Sequence, residues 1–301
     1  MTSVVVPAHN EAAVIGRLLS GLVSDVASEA SDGAEAFETI VVANGCTDDT
    51  EQVASRFPGV RVVATPVPNK HRALRLGDEH ARDFPRIYVD ADVELSAAGV
   101  RALASALRDP GVHAVAPQRH TPLDGIPWTV RWYYRIWEQL PVVRDGLFGR
   151  GVIGLSGEGH ARIMALPELM GDDLAASLSF EPRERRVIDT ARVTVHPPRR
   201  LADLLRRRVR SMTVTEQAAA RTELPGSRTS SSHLKVLLKQ DPLRNALPIL
   251  WFAAVTVVAR RRAARAIKAG DFTTWLRDES SRAAAQDPAA ASSAAPSRSS
   301  D

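Results

Sequence analysis

Four times in the first 118 residues, a short β-branched run breaks into polar residues and then into a segment with apolar positions at helical spacing. SVVV leads into EAAVIGRLLSGLVSDVASEA, where Val14, Ile15, Leu18, Leu19, Leu22, Val23 and Val26 follow a helical period. ETIVVA precedes TDDTEQVASRF, VRVVAT precedes KHRALRLGDEHARDF, RIYVD precedes SAAGVRALASAL, and VHAVAPQ is a fifth run. Buried strands alternating with helices of this length predict βαβ crossovers, hence an α/β domain with a mainly parallel, Rossmann-like sheet covered on both faces. Ligands of such sheets bind beyond the carboxyl ends of the strands. PAHNE, ANGCTDDT and DADVEL all stand at those ends.

A chain of 301 residues that is 44% hydrophobic and 25% charged has ample material for one large core or two small ones. The single cysteine, Cys46, excludes an internal disulfide framework. MTSVVVPAHNEAAV has no basic leader and only a short apolar run, so the N-terminal half is expected in the cytoplasm. The formal charge of +4 conceals a division: Arg199 to Lys268 holds 16 Lys/Arg against 4 Asp/Glu, a net of +12, which leaves −8 elsewhere. A basic C-terminal third points to an anionic surface or ligand, or else to a solvated helix face. Nucleic acid is not among the expected partners.

After Gln118 the pattern changes. IPWTVRWYYRIWEQLP gathers Trp128, Trp132, Tyr133, Tyr134 and Trp137, as the core face of a helix or as an aromatic wall for an acceptor or a membrane. The glycine-rich GVIGLSGEGHARI, then LPELMGDDLAASLSF, the strand-like RRVIDTARVTVHP and the basic helix LADLLRRRVRSM follow, and LPGSRTSSS reads as a linker. The apolar run from Ala246 to Ala259 gives about 21 Å of helix, short of the roughly 30 Å of a bilayer core. An interfacial or docking helix is therefore predicted, its Arg260, Arg261, Arg262, Arg265 and Lys268 suited to anionic headgroups, with a buried core helix as the alternative. Residues 284–301 form a low-complexity tail expected to be disordered.

Asp90 and Asp92 lie two apart at a strand end, where two hard oxygen ligands suit Mg²⁺ or Mn²⁺, and no nearby positive residue is expected to neutralise them. A helix-capping loop with Ser96 as the cap would account for one acid but not for both. Lys70 and Arg72 open a helix whose N-terminus favours an anion, so they read as a diphosphate cradle. Asn44, Gly45 and Asp48 place a tight turn where a base or ribose could be bonded. Asp172 and Asp173 start another helix, as caps or as a general base.

In this order the motifs resemble the family 2 glycosyltransferases of GT-A fold. VVVPAHNEAAVIGRLLSGL is similar to the family's P-x-[YH]-N-E opening, VVANGCTDDT to D-[DN]-G-S-x-D-x-T, NKHRALRLG to G-K-x-x-A-L-N-x-G, YVDADVEL to the D-x-D metal segment, and GDDLAASL to the [ED]-D base motif. Asn44 stands where an acid is common, Cys46 replaces serine and Arg75 replaces asparagine. RRRVRS lacks the Gln and Trp of the processive synthases' Q-x-x-R-W.

The resemblance implies a GT-A domain over residues 1–225, with a nucleotide-sugar-binding half (1–118) and an acceptor half (119–225), then a basic, apolar helical extension (226–283). It implies a metal-dependent, inverting hexosyl-type transfer from a nucleotide-sugar to an acceptor hydroxyl, in cell-envelope polysaccharide or glycolipid synthesis. Pro7, His9 and Glu11 would line the nucleotide pocket and Asn44 would face base or ribose. Lys70 and Arg72 would contact base or phosphate, Asp90 the ribose or metal, Asp92 the metal, while Asp173 activates the acceptor. Asp172, Trp132, Arg207 and Arg210 are candidates on the acceptor side. A lipid-linked acceptor and a peripheral position at the inner face of the cell membrane follow from the basic helix and apolar run. A catalytically silent nucleotide-sugar-binding protein and a sugar nucleotidyltransferase are the rival readings.

Overall fold

The computed structural model describes residues 1–23, 35–165, 179–221 and 231–268. The alternating runs form β1 (Thr2–Ala8), α1 (Ile15–Val23), β2 (Phe37–Asn44), α2 (Thr50–Ser55), β3 (Val60–Thr65), α3 (Lys70–His80), β4 (Arg86–Val89), β5 (Val93–Leu95), α4 (Ala97–Ala106) and β6 (Ala114–His120). Then come α5 (Trp128–Trp137), α6 (Pro141–Arg144), β7 (Val152–Leu155), α7 (Gly157–Met164), β8 (Arg185–Val195), α8 (Leu201–Arg221), α9 (Ser231–Gln240) and α10 (Pro242–Lys268).

Among the described residues eight strands make one sheet in the order β3-β2-β1-β4-β7-β6-β8-β5. The β1/β2, β2/β3, β1/β4 and β6/β8 pairs are parallel, and β7 runs antiparallel between β4 and β6. Helix crossovers dictate the parallel half, since they return the chain to the same end before each new strand. Because β7 alone is reversed between them, β4 and β6 point the same way, and both end where β1 and β2 end. Val4, Val6, Ile15, Leu18, Leu19, Val41, Ile87 and Val89 fill the core between sheet and helices.

Two short strands depart from the sequence-based expectation. β5 follows the Asp-Ala-Asp segment directly and pairs with the end of β8, and β7 forms within the glycine-rich stretch. Three or four residues are too few to display an alternating pattern. Gly154 of β7 is a packing requirement, because a Cβ there would lie 2.9 Å from Val115 Cγ2. Ser96 caps α4, as the alternative reading of this loop had it, its hydroxyl accepting from the Gly99 amide at 3.1 Å.

The C-terminal helices join a second apolar cluster. Phe252, Val255, Ala259 and Ala263 of α10 pack with Tyr133, Ile136 and Trp137 of α5 and with Leu204, Leu205 and Val209 of α8. The extension drawn from sequence thus shares its core with the half assigned to the acceptor. α10 is 27 residues long and, among the described residues, the one helix long and apolar enough to cross a membrane. Its inward stripe, from Asn245 through Pro248, Phe252 and Val255 to Ala263, is nevertheless covered by protein.

Candidate active site

The loops after β1 and β2 are stitched together by side chains from the second onto amides of the first. Thr50 Oγ1 accepts from the Glu11 amide at 2.7 Å, and Asp48 Oδ2 from the Ala12 amide at 3.1 Å. Asn10, in the left-handed region at φ 53°, accepts from the Thr47 amide at 2.7 Å. His9 donates from Nδ1 to the Asn44 carbonyl at 2.7 Å, which leaves Nε2 as the ring's other polar atom. Asn44, 3% exposed, donates its amide to the Ala8 carbonyl at 2.7 Å. Its side chain therefore ties β1 to β2, and its carbonyl fixes the His9 ring. Pro7 and Glu11 are buried at the same strand end. Gly45 makes the turn beyond Asn44 at φ +59°, where a Cβ would lie 2.7 Å from Pro68.

Asp90 follows β4 and Asp92 stands two residues on, half-buried before β5. The expectation that no basic residue offsets the pair is corrected here: Lys70 Nζ, from the first residue of α3, lies 2.8 Å from Asp90 Oδ1. The partner comes from another crossover and so is invisible in the local sequence. Asn69 caps α3 by accepting from the Arg72 amide at 3.0 Å, and the Arg72 side chain is exposed at the same helix start. The Asp90 amide donates to the Gly151 carbonyl at 2.7 Å, and Gly151 sits at φ +67°. A Cβ on Gly151 would lie 3.2 Å from Asp90 Oδ2, so the glycine leaves room for the carboxylate.

No cluster of three or more His, Cys, Asp or Glu able to hold a metal occurs among the described residues. Two hard carboxylates with a helix start and a lysine beside them still fit a divalent cation, because Mg²⁺ and Mn²⁺ take one or two carboxylates and complete their shell with water and phosphate.

The segment behind Asp90 is held by Arg150, a residue the sequence reading did not single out. Its buried guanidinium donates to the carbonyls of Gly146, Pro117, Val143 and Arg144 at 2.8–3.1 Å. Burial pushes its pKa down to about 10, with Asp145 opposing. Arg119, at the end of β6, was likewise missed. Its side chain is 6% exposed, donates to the Gly149 carbonyl and to Thr121 Oγ1, and lies over the Trp137 ring at 4.6 Å. Thr121 in turn donates to Glu138. Burial lowers Arg119 to about 10 as well, against Tyr134 and Glu138 and with Arg207 adding to the push. No sequence signal marked these arginines, since carbonyl partners and ring faces leave no charge pattern along the chain.

Arg207 of α8 therefore stands near Arg119, and it donates to the His196 carbonyl at 3.4 Å. Arg210 is half-buried one helical turn further on. The aromatic cluster divides by face: Tyr133, Tyr134 and Trp137 are core, whereas Trp132 lines an open cleft and Trp128 is 49% exposed. Asp172 and Asp173 lie outside the described residues.

Residues 3–148 match the family model described as glycosyl transferase family 2. No curated protein matches the chain in sequence. Among solved structures, a mannosyltransferase from Pyrobaculum calidifontis in complex with GDP-Man and Mn²⁺ is similar at a TM-score of 0.56 and 18% identity, over 89% of this chain and 79% of that one. Glucosyl-3-phosphoglycerate synthase from Mycobacterium tuberculosis in complex with Mn²⁺, uridine-diphosphate-glucose and phosphoglyceric acid gives 0.54 at 23% identity, over 75% and 81%. The same synthase with Mg²⁺ and uridine-diphosphate gives 0.52 at 23%, over 75% and 81%. At these identities the likeness is one of fold.

Proposed function

We propose that this chain, whose residues 3–148 match the model of glycosyl transferase family 2 and whose fold is that of the GT-A glycosyltransferases, moves a hexose from a nucleotide-diphosphate sugar to an acceptor hydroxyl with inversion. The convergence of Asp90, Asp92, Lys70 and His9 beyond the ends of β1, β2 and β4 carries this reading. It supplies an anion grip and a cation grip side by side, at the edge where α/β sheets bind nucleotides. The solved structures of similar fold hold nucleotides or nucleotide-sugars with Mn²⁺ or Mg²⁺.

In this reading Pro7, His9 and Glu11 wall the nucleoside, with Asn44 acting by fixing His9 and the end of β1. Lys70 and Arg72 neutralise the diphosphate. Asp92, with Asp90, holds a divalent cation that, when bound, acts as a Lewis acid on the leaving diphosphate. Asp173 removes the proton from the acceptor hydroxyl. The freed oxygen forms its bond to the anomeric carbon as the bond to the diphosphate oxygen breaks, and the nucleoside diphosphate leaves with the electron pair. Holding acceptor and donor in line supplies much of the acceleration.

The acceptor is membrane-proximal or lipid-linked, and the protein works peripherally at the cytoplasmic face in cell-envelope glycan or glycolipid synthesis. The basic third of the chain and the apolar outer side of α10 support this part.

Asp92→Ala and Asp173→Asn test the assignment. Asp92→Ala is expected to lose Mn²⁺-dependent turnover of the cognate donor by about 100-fold or more, a size typical for losing one transition-state electrostatic contact. Asp173→Asn should retain donor binding and lose transfer. Full transfer activity in either variant removes that residue's role, and a wild type that binds donor without turnover points instead to the silent binding protein.

A further inference from the structure

The open cleft lined by Arg131, Trp132, Arg135, Glu138 and Arg144 has a volume of about 670 Å³, within the range of small-ligand sites. Apart from Trp132, a candidate on the acceptor side, no residue of the proposed transfer lines it. Arg131 and Arg135 lie four apart and so share one face of α5. Arg144 closes the wall from the end of α6, where its own carbonyl is fixed by Arg150 Nη2 at 2.8 Å. The acid among them is engaged elsewhere, since Glu138 accepts from Thr121 and lies 3.9 Å from Arg119 Nε. The cleft therefore offers three guanidinium groups against one carboxylate that is already paired. That chemistry favours phosphate, which arginine meets with two parallel N–H donors.

The setting of the cleft restricts which phosphate. Trp132 on its wall meets Trp128 edge-on, with ring centroids 5.0 Å apart, and Trp128 lies 5.1 Å from Trp251 of α10. The Trp251 indole donates to the Thr129 carbonyl at 2.7 Å and clamps α10 against α5. From this contact the outer side of α10 presents Leu243, Leu247 and Leu250, of which Leu243 is 95% exposed. Arg260, Arg261, Arg262 and Arg265 extend the cationic surface along the same helix. Indole rings joining a cationic cleft to an apolar row match the layering of a bilayer interface, with phosphate above and acyl chains below.

We propose that this cleft binds the headgroup phosphate of an anionic phospholipid while the outward row of α10 lies in the bilayer interface. The proposal rests on the membrane-proximal reading above and adds the site and the ligand chemistry. Co-sedimentation of the full chain with phosphatidylcholine vesicles, with and without phosphatidylglycerol, tests it. Wild type, Arg131→Gln/Arg135→Gln and the charge-matched surface control Arg56→Gln/Arg183→Gln are compared. Juxtamembrane basic residues contribute about 1 kcal/mol each, so the cleft variant should bind phosphatidylglycerol vesicles about tenfold or more weakly, and the control should match wild type.

Nucleoside-diphosphate binding and melting temperature should be equal in all three proteins, which separates loss of this site from loss of the donor site. Equal binding by cleft variant and wild type overturns the cleft and leaves the membrane reading standing. Wild type that sediments with neither vesicle overturns both. Equal binding of wild type to neutral and anionic vesicles reduces the contact to apolar adsorption and overturns the headgroup site. Inorganic phosphate or a nucleic acid that binds wild type but not the cleft variant, without any vesicle preference, transfers the site to a soluble ligand and overturns the lipid.

Discussion

Asp78 illustrates how a side chain outside the site positions it. Its carboxylate accepts from Tyr88 at 2.7 Å, pairs with Arg86 at 2.6 Å and lies 3.2 Å from His160 Nε2, joining α3, β4 and α7. Burial alone would raise its pKa from 3.8, but the hydrogen bonds from His160, Tyr88 and Arg86 outweigh burial and hold it below that value. A carboxylate whose folded pKa is depressed stabilises the fold above its unfolded pKa, and that contribution is lost as pH falls through the folded value. Asp78→Asn is therefore expected to cost about 3 kcal/mol at neutral pH, the range for removing one partner from a buried pair. The gap to wild type should narrow below about pH 4, near the unfolded carboxylate pKa; urea unfolding at pH 7 and near pH 3 measures both. A gap independent of pH would deny the charge its part. The residues of the candidate site could be named from the sequence because Asp90, Asp92 and Lys70 stand in recognisable local patterns. Asp78, Arg119 and Arg150 were not, since their partners lie on other elements or are backbone carbonyls.

At the scale of elements, the repeated strand and helix patterns of the first 118 residues predicted β1 to β4 and their crossovers, because each helix there buries one clear stripe. β5 and β7 escaped for want of length, and the packing of α10 on α5 and α8 was not legible because an apolar run does not name its partner. α10 has two faces with different consequences. Phe252 is buried, with its ring stacked on Tyr133 at 5.0 Å, so Phe252→Ala should cost about 3–5 kcal/mol and loosen α5 and α8 together. Leu247 points outward, and Leu247→Ser should change solution stability by no more than about 0.5 kcal/mol. Thermal or denaturant unfolding of the two variants reads this directly. A large loss from Leu247→Ser would mean that the outer row already packs against protein, and the face would no longer be available to a membrane.

Across the whole molecule, charge is divided between an acidic portion, net −8, that contains the proposed donor edge, and the basic stretch Arg199 to Lys268, net +12. A nucleotide diphosphate approaching the acidic portion is repelled unless cationic groups offset it. Lys70 is one such group, and its Nζ lies 2.8 Å from Asp90 Oδ1. In the proposed site a divalent cation would compete with Lys70 for the Asp90 carboxylate, and a diphosphate would give the lysine another partner. Each ligand removes the obstacle to the other, so their binding should be coupled, by about 5- to 150-fold as coupled sites typically are. Isothermal titration of Mn²⁺ alone, of UDP and GDP alone, and of each nucleotide with Mn²⁺ present measures that factor. In Lys70→Met the cation alone should bind more tightly than in wild type, the nucleotide more weakly, and the coupling should fall toward that carried by direct metal–phosphate contact. Identical coupling in the variant would show that the Lys70–Asp90 pair does not change partners, and would leave Lys70 as a fixed counter-ion of the aspartate.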